Sequence, residues 1–283
     1  MKTIGFIDYY LSEWHANNYP QWIREACERL GLQYTVAYAW GEQEISPVDG
    51  VSGADWCKQM GVTQCATVEE VCEKSDVLIV LAPSDPQKHL PYAKKVLAYG
   101  KPTYIDKTFT PNLSEAKAIF ALGKQYGTPF FSTSALRYAE DLDAFSDARD
   151  LVILGGGGNF PEYVIHQVEM LVKLLKEPVR RVKVDCVGPH RQCCLETVSG
   201  NRAGLTFIPN HDFAISGKMP TEQPLYLTMS DGFFPRLIED MLRFFENGEP
   251  PFDGRQTLEA MAIREALLIA EDANGTWIDV PAI

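Results

Sequence analysis

Short apolar runs alternate with amphipathic stretches over the first 135 residues of the chain. The runs are rich in β-branched and aromatic residues, as buried strands are, and lie at 3–8, 34–40, 77–82, 102–106 and 129–132. Stretches with helical spacing lie between them, at 19–30, 54–60, 68–74, 87–99 and 113–123. Strands that alternate with helices of about 7–15 residues indicate βαβ units. The pattern therefore predicts an α/β domain with a parallel sheet over residues 1–135.

The pattern changes in the second half of the chain. The predicted elements there are a helix, a β-rich stretch, two amphipathic helices and a last strand, at 161–175, 179–229, 234–245, 258–270 and 277–280. Turn residues separate the short runs of the β-rich stretch, which is typical of antiparallel or mixed sheets. Residues 136–283 are therefore predicted to form a second, α+β domain.

The composition is that of a globular protein, and the charge is strongly acidic. The chain has 283 residues, of which 46% are hydrophobic and 23% charged, with a formal net charge of −12. A negative field repels phosphate backbones and anionic lipid surfaces, so no nucleic-acid or membrane partner is expected. No apolar run approaches the roughly 20 residues of a membrane-spanning helix.

The cysteines indicate a reducing compartment and no structural metal. There are seven, an odd number, and no Cys-x-x-Cys pair occurs, so a cytoplasmic location is predicted. His190 lies near Cys193 and Cys194, but adjacent residues on a strand face opposite sides of the sheet. No further ligand set has the spacing of a metal site.

An ordered series of motifs runs through most of the chain. It comprises Asp76–Pro83 followed by His89, then Gly100-Lys101-Pro102, Asp106-Lys107-Thr108, and Gly155–Gly158 leading to Glu162 and His166. This series resembles the Gfo/Idh/MocA family, whose name refers to glucose–fructose oxidoreductase and inositol dehydrogenase. The resemblance implies a Rossmann-like first domain and homo-oligomers formed through the sheet of the second. Few residues separate Arg137 from Gly155, which implies a shortened second sheet.

The resemblance also implies a catalytic site. Members of the family are mostly NAD(P)-dependent sugar or cyclitol dehydrogenases. Lys107 corresponds to their catalytic lysine and His166 to their general acid/base, while Glu162 stands four residues earlier where an aspartate is usual. Residues at this spacing share a helix face. Lysine and histidine can both transfer protons near neutral pH when their surroundings shift the lysine pKa downwards.

The implied cofactor is NAD or NADP, but the first turn departs from the family pattern. The implied cofactor contacts are at Asp8, Tyr10, Pro83, His89 and Asp106. A dinucleotide turn needs Gly-x-Gly-x-x-Gly after the first strand. The turn here reads Asp-Tyr-Tyr-Leu-Ser-Glu-Trp-His from residue 8, without a glycine. Asp8 and Glu13 add negative charge where the phosphates would lie, which disfavours conventional NAD(P) binding.

Aromatic side chains take the place of the missing glycines. Tyr9, Tyr10, Trp14 and His15 are predicted at the carboxyl edge of the parallel sheet, where ligands bind in such folds. Two interpretations stay open. The rings fill the cofactor crevice, or they bind a carbohydrate-like ligand together with Arg137, which matches a recurrent arginine of the family.

The sequence thus predicts an oxidoreductase-family enzyme that acts on a sugar, sugar acid or cyclitol by lysine–histidine acid–base chemistry. Two alternatives remain. One is a non-redox carbohydrate-modifying enzyme that uses no NAD, and the other is a non-catalytic ligand-binding or regulatory protein with the same fold.

Overall fold

The computed structural model describes residues 1–283 and divides into two compact units. The first comprises residues 1–133 and 235–254, and the second comprises residues 134–234 and 255–283. The first unit is therefore built from two separate stretches of the chain. No helix in the chain is both long and apolar enough to cross a membrane.

The first unit alternates strands and helices. Its strands are β1 (Lys2–Asp8), β2 (Tyr34–Gly41), β3 (Thr63–Gln64), β4 (Val77–Val80), β5 (Thr103–Ile105) and β6 (Phe130–Phe131). Its helices up to residue 133 are α1 (Trp14–Leu30), α2 (Gly53–Met60), α3 (Val68–Lys74), α4 (His89–Val96) and α5 (Leu113–Tyr126). All six strands are parallel, in the order β3-β2-β1-β4-β5-β6. The predicted parallel α/β fold is confirmed.

Local signals explain most of these elements. β4 is buried along its whole length, as the continuous apolar run predicted. Thr67 caps α3 by accepting a hydrogen bond from the Glu70 amide at 3.1 Å, and Gly61 ends α2 in the left-handed conformation. Gly5 lets α3 approach β1 closely, because a Cβ there would lie 2.3 Å from Ser75 Oγ.

Helix α1 begins five residues earlier than the predicted start at residue 19, and Pro20 lies inside it. The apolar positions from which the helix was predicted, at residues 22, 23, 26 and 30, all lie after its first two turns, which explains the late predicted start. Glu13 caps the helix. Trp14 and His15 are consequently in the first turn of α1, whereas the sequence placed them in a loop.

The second unit carries a seven-stranded mixed sheet. Its elements are β7 (Arg149–Gly156), α6 (Phe160–Leu174), β8 (Val179–Val187), β9 (His190–Thr197), β10 (Arg202–Phe207), β11 (His211–Lys218), β12 (Pro224–Thr228) and β13 (Ile278–Asp279). The strand order is β12-β11-β7-β10-β9-β8-β13. Only the β7–β10 pair is parallel. The prediction of an α+β part with a mixed sheet is confirmed.

Strand β7 was absent from the predicted elements, although it lies inside the sheet between β11 and β10. Its sequence ends in the glycine run at residues 155–158, which the sequence analysis assigned only to the family's motif series. Gly155 has φ of 114°, and a Cβ there would lie 2.6 Å from the Asp212 carbonyl oxygen. The glycine therefore permits a close backbone approach next to β11.

The last two helices belong to different units. Helix α7 (Phe233–Asn247) lies mostly in the first unit, where Glu239 pairs with Arg29 at 2.7 Å and Glu246 pairs with Lys2 at 2.9 Å. Helix α8 (Gly254–Asp272) lies in the second unit. The sequence predicted two domains that meet at residue 135. That these two stretches are separate domains stays a prediction.

Candidate functional site

The carboxyl edge of the parallel sheet contains a reversal of strand order. β1 is the central strand from which the order runs to β2 on one side and to β4 on the other. In open parallel sheets, ligands bind outside the carboxyl ends of the strands at such a reversal. Asp8 is the last residue of β1, and Ala82 and Pro83 follow β4. These residues define a crevice between the ends of β1 and β4, at the strand-order reversal.

Asp8 is buried at the reversal and bridges its two sides. Its side chain accepts hydrogen bonds through Oδ1 from the amides of Tyr9, at 2.7 Å, and Ala82, at 2.9 Å. Its Oδ2 is buried without a hydrogen-bond partner. Burial, and then the negative charges of Glu13 and Asp106, raise the pKa of Asp8 well above its usual value. The environment therefore favours the protonated, neutral acid.

Ala82 carries backbone strain beside Asp8. Its φ is 68°, in the left-handed region that disfavours residues with a Cβ. Such residues cost about 1–3 kcal/mol each and cluster at functional sites. The hydrogen bond from its amide to Asp8 helps to hold this conformation.

Glu13 caps the amino terminus of α1 with both carboxylate oxygens. Oε2 accepts a hydrogen bond from the His15 amide at 2.8 Å, and Oε1 accepts one from the Ala16 amide. The residue is only 7% exposed. Free amides at a helix amino terminus form an anion-binding site. In this helix an internal carboxylate already occupies that position.

His15 links Glu13 to a third buried carboxylate. Its Nδ1 lies 3.0 Å from Glu13 Oε2, and its Nε2 lies 3.9 Å from Asp106 Oδ2. Asp106 accepts a hydrogen bond from the Tyr104 hydroxyl through Oδ1 at 2.9 Å, while its Oδ2 is buried without a hydrogen-bond partner. The structure thus brings three buried carboxylates and one imidazole to the same sheet edge, including the predicted residues Asp8, His15 and Asp106.

Lys107 follows Asp106 at the end of β5. Its ammonium donates a hydrogen bond to the Pro83 carbonyl at 3.4 Å, which places two predicted site residues in contact. The Lys107–Thr108 peptide bond is cis.

His89 is fully buried and contacts two backbone carbonyl oxygens. They belong to Phe109, at 2.9 Å from Nδ1, and Leu81, next to Nε2. Burial lowers the pKa of His89, although both contacts oppose this shift. The imidazole therefore ties the loop after β4 to the loop after β5. Its predicted contact with a cofactor stays a prediction.

The predicted aromatic residues form two groups. Tyr9 and Tyr10 have ring centroids 5.9 Å apart, and the Lys88 ammonium lies 4.5 Å above the Tyr9 ring. Trp14 packs edge-on against His15 at 5.0 Å and is 53% exposed. Burial, and then the charges of Glu13 and Asp8, raise the pKa of Tyr10, which stays a neutral phenol.

The second unit holds the other predicted catalytic residues on α6. Glu162 belongs to the capping arrangement of this helix, since its amide donates to Asn159 Oδ1 at 2.9 Å and its carboxylate accepts from Asn159 Nδ2 at 3.1 Å. His166 Nδ1 lies 2.6 Å from Ser134 Oγ. Ser134 was not identified from the sequence, because nothing local distinguishes it from other serines. It orients the His166 ring.

Arg137 is a buried partner of two side chains in the second unit. Its guanidinium pairs with Glu169 at 3.2 Å and contacts Gln256. The side chains of Arg137 and Glu169 are only 7% and 5% exposed. The predicted contact of Arg137 with a substrate stays a prediction.

Side chains of the protein also fill the end of β2, where the adenosine ribose of a dinucleotide would lie. Glu42, directly after β2, pairs with Lys88 and accepts a hydrogen bond from the Tyr92 hydroxyl at 2.7 Å. Leu11 is 1% exposed and contacts the end of β2, where a Cβ on Gly41 would lie 3.2 Å from Leu11 Cγ. A ribose would have to displace these contacts to reach Glu42.

The residues present do not fit the dinucleotide that the family implies. The amides that would hold its pyrophosphate, at the start of α1 and beside Ala82, donate to Glu13 and Asp8. No group of three or more histidine, cysteine, aspartate or glutamate side chains is arranged to hold a metal ion.

Comparisons with known proteins identify relatives of both the sequence and the fold. The family described as "Oxidoreductase family, NAD-binding Rossmann fold" (GFO_IDH_MocA) matches residues 27–134. YhhX, an uncharacterised oxidoreductase of Escherichia coli K12, is 39% identical over 66 residues, which are 22% of this chain and 19% of that protein. The matched part thus spans about a fifth of that relative.

Solved dehydrogenase structures superpose along almost the whole chain. A probable dehydrogenase from Thermotoga maritima has a TM-score of 0.79 at 13% identity, covering 98% of this chain and 99% of that one. Myo-inositol dehydrogenase from Lactobacillus casei, solved with NAD(H) and myo-inositol, has a TM-score of 0.80 at 10% identity, covering 100% and 98%. At these identities the likeness shows the fold. Over residues 27–134 the chain is similar in sequence to the Gfo/Idh/MocA oxidoreductase family, and its fold is that of the solved dehydrogenases.

Proposed function

We propose that the chain is an enzyme of this family that acts on a sugar, sugar acid or cyclitol, with Lys107 and His166 as its proton-transfer groups. One observation carries the proposal. Lys107 lies in the family-matched segment at the carboxyl end of β5, and its ammonium contacts the loop at the strand-order reversal. Ligands of such sheets bind at this edge.

The proposed chemistry is proton transfer at a substrate hydroxyl. An ammonium group beside a hydroxyl stabilises the alkoxide that forms when the proton leaves, and an imidazole can accept or return that proton near neutral pH. The Ser134 hydroxyl orients His166, and Glu162 is the proposed carboxylate partner four residues earlier on α6. These roles rest on the family resemblance and on the contacts of each residue.

The proposed substrate class is polyhydroxylated and small. One structural neighbour is named a myo-inositol dehydrogenase, and another, from Acidithiobacillus ferrooxidans, is named a UDP-N-acetylglucosamine 3-dehydrogenase. The latter has a TM-score of 0.76 at 13% identity and covers 95% of this chain and 97% of that one. The exposed ring of Trp14 and the rings of Tyr9 and Tyr10 offer faces for sugar C–H groups. A homo-oligomer and a cytoplasmic location are part of the proposal by family resemblance and composition.

A second candidate is a non-redox reaction such as elimination, isomerisation or hydrolysis. It needs the same proton-transfer groups and no nicotinamide. The Glu13 cap favours it, because the amides that would hold a dinucleotide pyrophosphate are engaged. Addition of NAD⁺ or NADP⁺ to the assay distinguishes the two candidates.

The test measures turnover of myo-inositol, glucose, gluconate and related polyols, with and without NAD⁺ or NADP⁺. For any substrate found, Lys107→Ala and His166→Ala are expected to lower kcat by about 10²–10⁴-fold, the usual contribution of a general acid or base. Lys124→Ala and His190→Ala change exposed residues of the same types and should leave kcat unchanged. Unchanged turnover in both site variants would refute the assigned roles. Ligand binding without any turnover would favour the non-catalytic alternative.

A further inference from the structure

We infer that two acidic side chains of the chain, Glu13 and Asp8, occupy the positions of a dinucleotide pyrophosphate and close the family's cofactor crevice to NAD(P). This inference goes beyond the proposed function because it concerns the cofactor crevice rather than the proton-transfer groups. It rests on which donors are engaged, on the charge around them, and on the packing at the end of β2.

Glu13 occupies the amino terminus of α1. A dinucleotide in this fold places its pyrophosphate at that terminus, where backbone amides and the helix dipole attract it. The Glu13 carboxylate accepts from the His15 and Ala16 amides and also contacts His15 Nδ1. It is tethered one residue before the helix, so a ligand phosphate would compete with an anion of high effective concentration.

Asp8 stands at the position of the first glycine of a Gly-x-Gly-x-x-Gly turn. Its Oδ1 accepts hydrogen bonds from the amides of Tyr9, after β1, and Ala82, after β4, so neither amide is left to bind a phosphate. The side chain is 1% exposed and therefore fills space that a glycine would leave open. The backbone cannot approach a pyrophosphate here unless the carboxyl group moves away.

Negative charge at the crevice also opposes the binding of a phosphate. Glu13 and Asp106 face the same crevice as Asp8, and His15 lies between them as their imidazole partner. Lys107 donates to Pro83, and Lys88 pairs with Glu42. A phosphate about 4 Å from a carboxylate loses roughly fivefold to a thousandfold in affinity, depending on how much water screens the two charges.

The segment after β2, where the adenosine ribose would lie, is bonded to the turn after β1. The Glu42 and Gln43 amides donate to the carbonyls of Asp8 and Tyr9 at 3.0 Å and 2.8 Å. Leu11 packs against Gly41. The turn and this segment therefore hold each other in place, and a ribose would have to break these contacts to bind here.

The experiment titrates the full chain with NADH, NADPH and ADP, followed by calorimetry and nicotinamide fluorescence. The expected dissociation constants are weaker than about 1 mM, at the weak end of specific binding. Micromolar binding of either nicotinamide cofactor would overturn the inference. It would leave the roles of Lys107 and His166 to the turnover test, so the two failures are distinguishable.

Variants of Glu13 test whether this side chain occupies the pyrophosphate position. Glu13→Ser retains a good helix cap while removing the charge, and the double variant with Asp8→Gly restores the first glycine. Both are expected to bind ADP at least tenfold more tightly than the unsubstituted chain. Glu28→Ser removes one charge from an exposed position of the same helix and should change nothing. Circular dichroism confirms folding of each variant. If Glu13→Ser folds and gains no affinity, the inference is wrong.

Discussion

At the scale of single residues, burial decides the chemical state of the candidate site. Asp8, Glu13 and Asp106 are all at most 7% exposed, yet they have different surroundings. Glu13 accepts hydrogen bonds from two backbone amides and contacts the His15 imidazole. Burial, and then the charges of Glu13 and Asp106, raise the pKa of Asp8 although two amides donate to its Oδ1, so the neutral acid is favoured.

The raised pKa of Asp8 predicts a pH-dependent effect of Asp8→Asn. The folded chain binds this proton more tightly than the unfolded chain, so the Asp8 contribution to stability falls as pH rises above the usual aspartate value. Asparagine has no such proton. The variant should therefore gain unfolding free energy relative to the unsubstituted chain as pH rises, by about 0.5–3 kcal/mol at pH 8.

Urea unfolding at pH 4 and pH 8 measures this difference. Asp231→Asn changes an exposed aspartate and should show no such trend. An Asp8→Asn effect of the same size at both pH values would contradict the proposed protonation of Asp8.

The buried Arg137–Glu169 pair makes a second prediction at this scale. Arg137→Met leaves the Glu169 carboxylate buried with its nearest guanidinium removed, which typically costs about 3–5 kcal/mol. Adding Glu169→Gln should recover part of that loss. Arg243→Met breaks an exposed pair with Asp240 and should cost about 0–1 kcal/mol. Denaturant unfolding measures all three, and equal costs for Arg137→Met and Arg243→Met would refute the prediction.

At the scale of elements, the caps and close approaches set where each helix and strand can lie. Periodicity in the sequence predicted most of the strands and helices of the first unit, because amphipathic spacing and glycine stops act within a few residues. It placed the start of α1 too late because the apolar spacing begins only after the first two turns and the capping contacts of Glu13 are visible only in the fold. It missed β7 because the strand runs into a glycine-rich segment whose purpose is visible only beside β11.

Alanine substitutions within the glycine run should separate these roles. Gly155→Ala must adopt φ of 114° and bring a Cβ to 2.6 Å from the Asp212 carbonyl, so a loss of about 2–4 kcal/mol is expected. Gly158→Ala meets no atom within 4 Å and is expected to change stability by less than about 0.5 kcal/mol. Thermal and urea unfolding compare the two. Similar losses in both variants would refute the assigned role of Gly155.

At the scale of the whole molecule, the first unit is not a continuous segment. Helix α7 returns to it from far along the chain and buries Leu237, Ile238, Met241, Leu242, Phe244 and Phe245. Phe244 packs edge-on against Phe131 at 5.0 Å, and Phe245 contacts Tyr34. Six such side chains at about 1.5–3 kcal/mol each are comparable with the whole stability of a domain.

The fragment 1–135 is therefore expected to aggregate or to lack a cooperative unfolding transition. Joining residues 235–254 to it through a flexible glycine–serine linker should restore a folded monomer, because it restores the apolar cover. A linked segment with Leu237, Met241 and Phe244 changed to serine is the control. Size-exclusion chromatography and circular dichroism report the outcome. A fragment 1–135 that folds cooperatively alone would contradict this account.

The sequence by itself determined most of the succession of strands and helices, the parallel first sheet and the absence of a glycine turn. These follow from periodicity, capping and residue type, which act over a few neighbouring positions. The candidate residues Lys107, Glu162 and His166 came from the family resemblance and stay predictions. Only the tertiary structure decided that Glu13 occupies the start of α1, that Asp8 is driven towards its neutral form, and that α7 completes the first unit. Each of these depends on burial and on contacts between distant parts of the chain, and no local pattern encodes them.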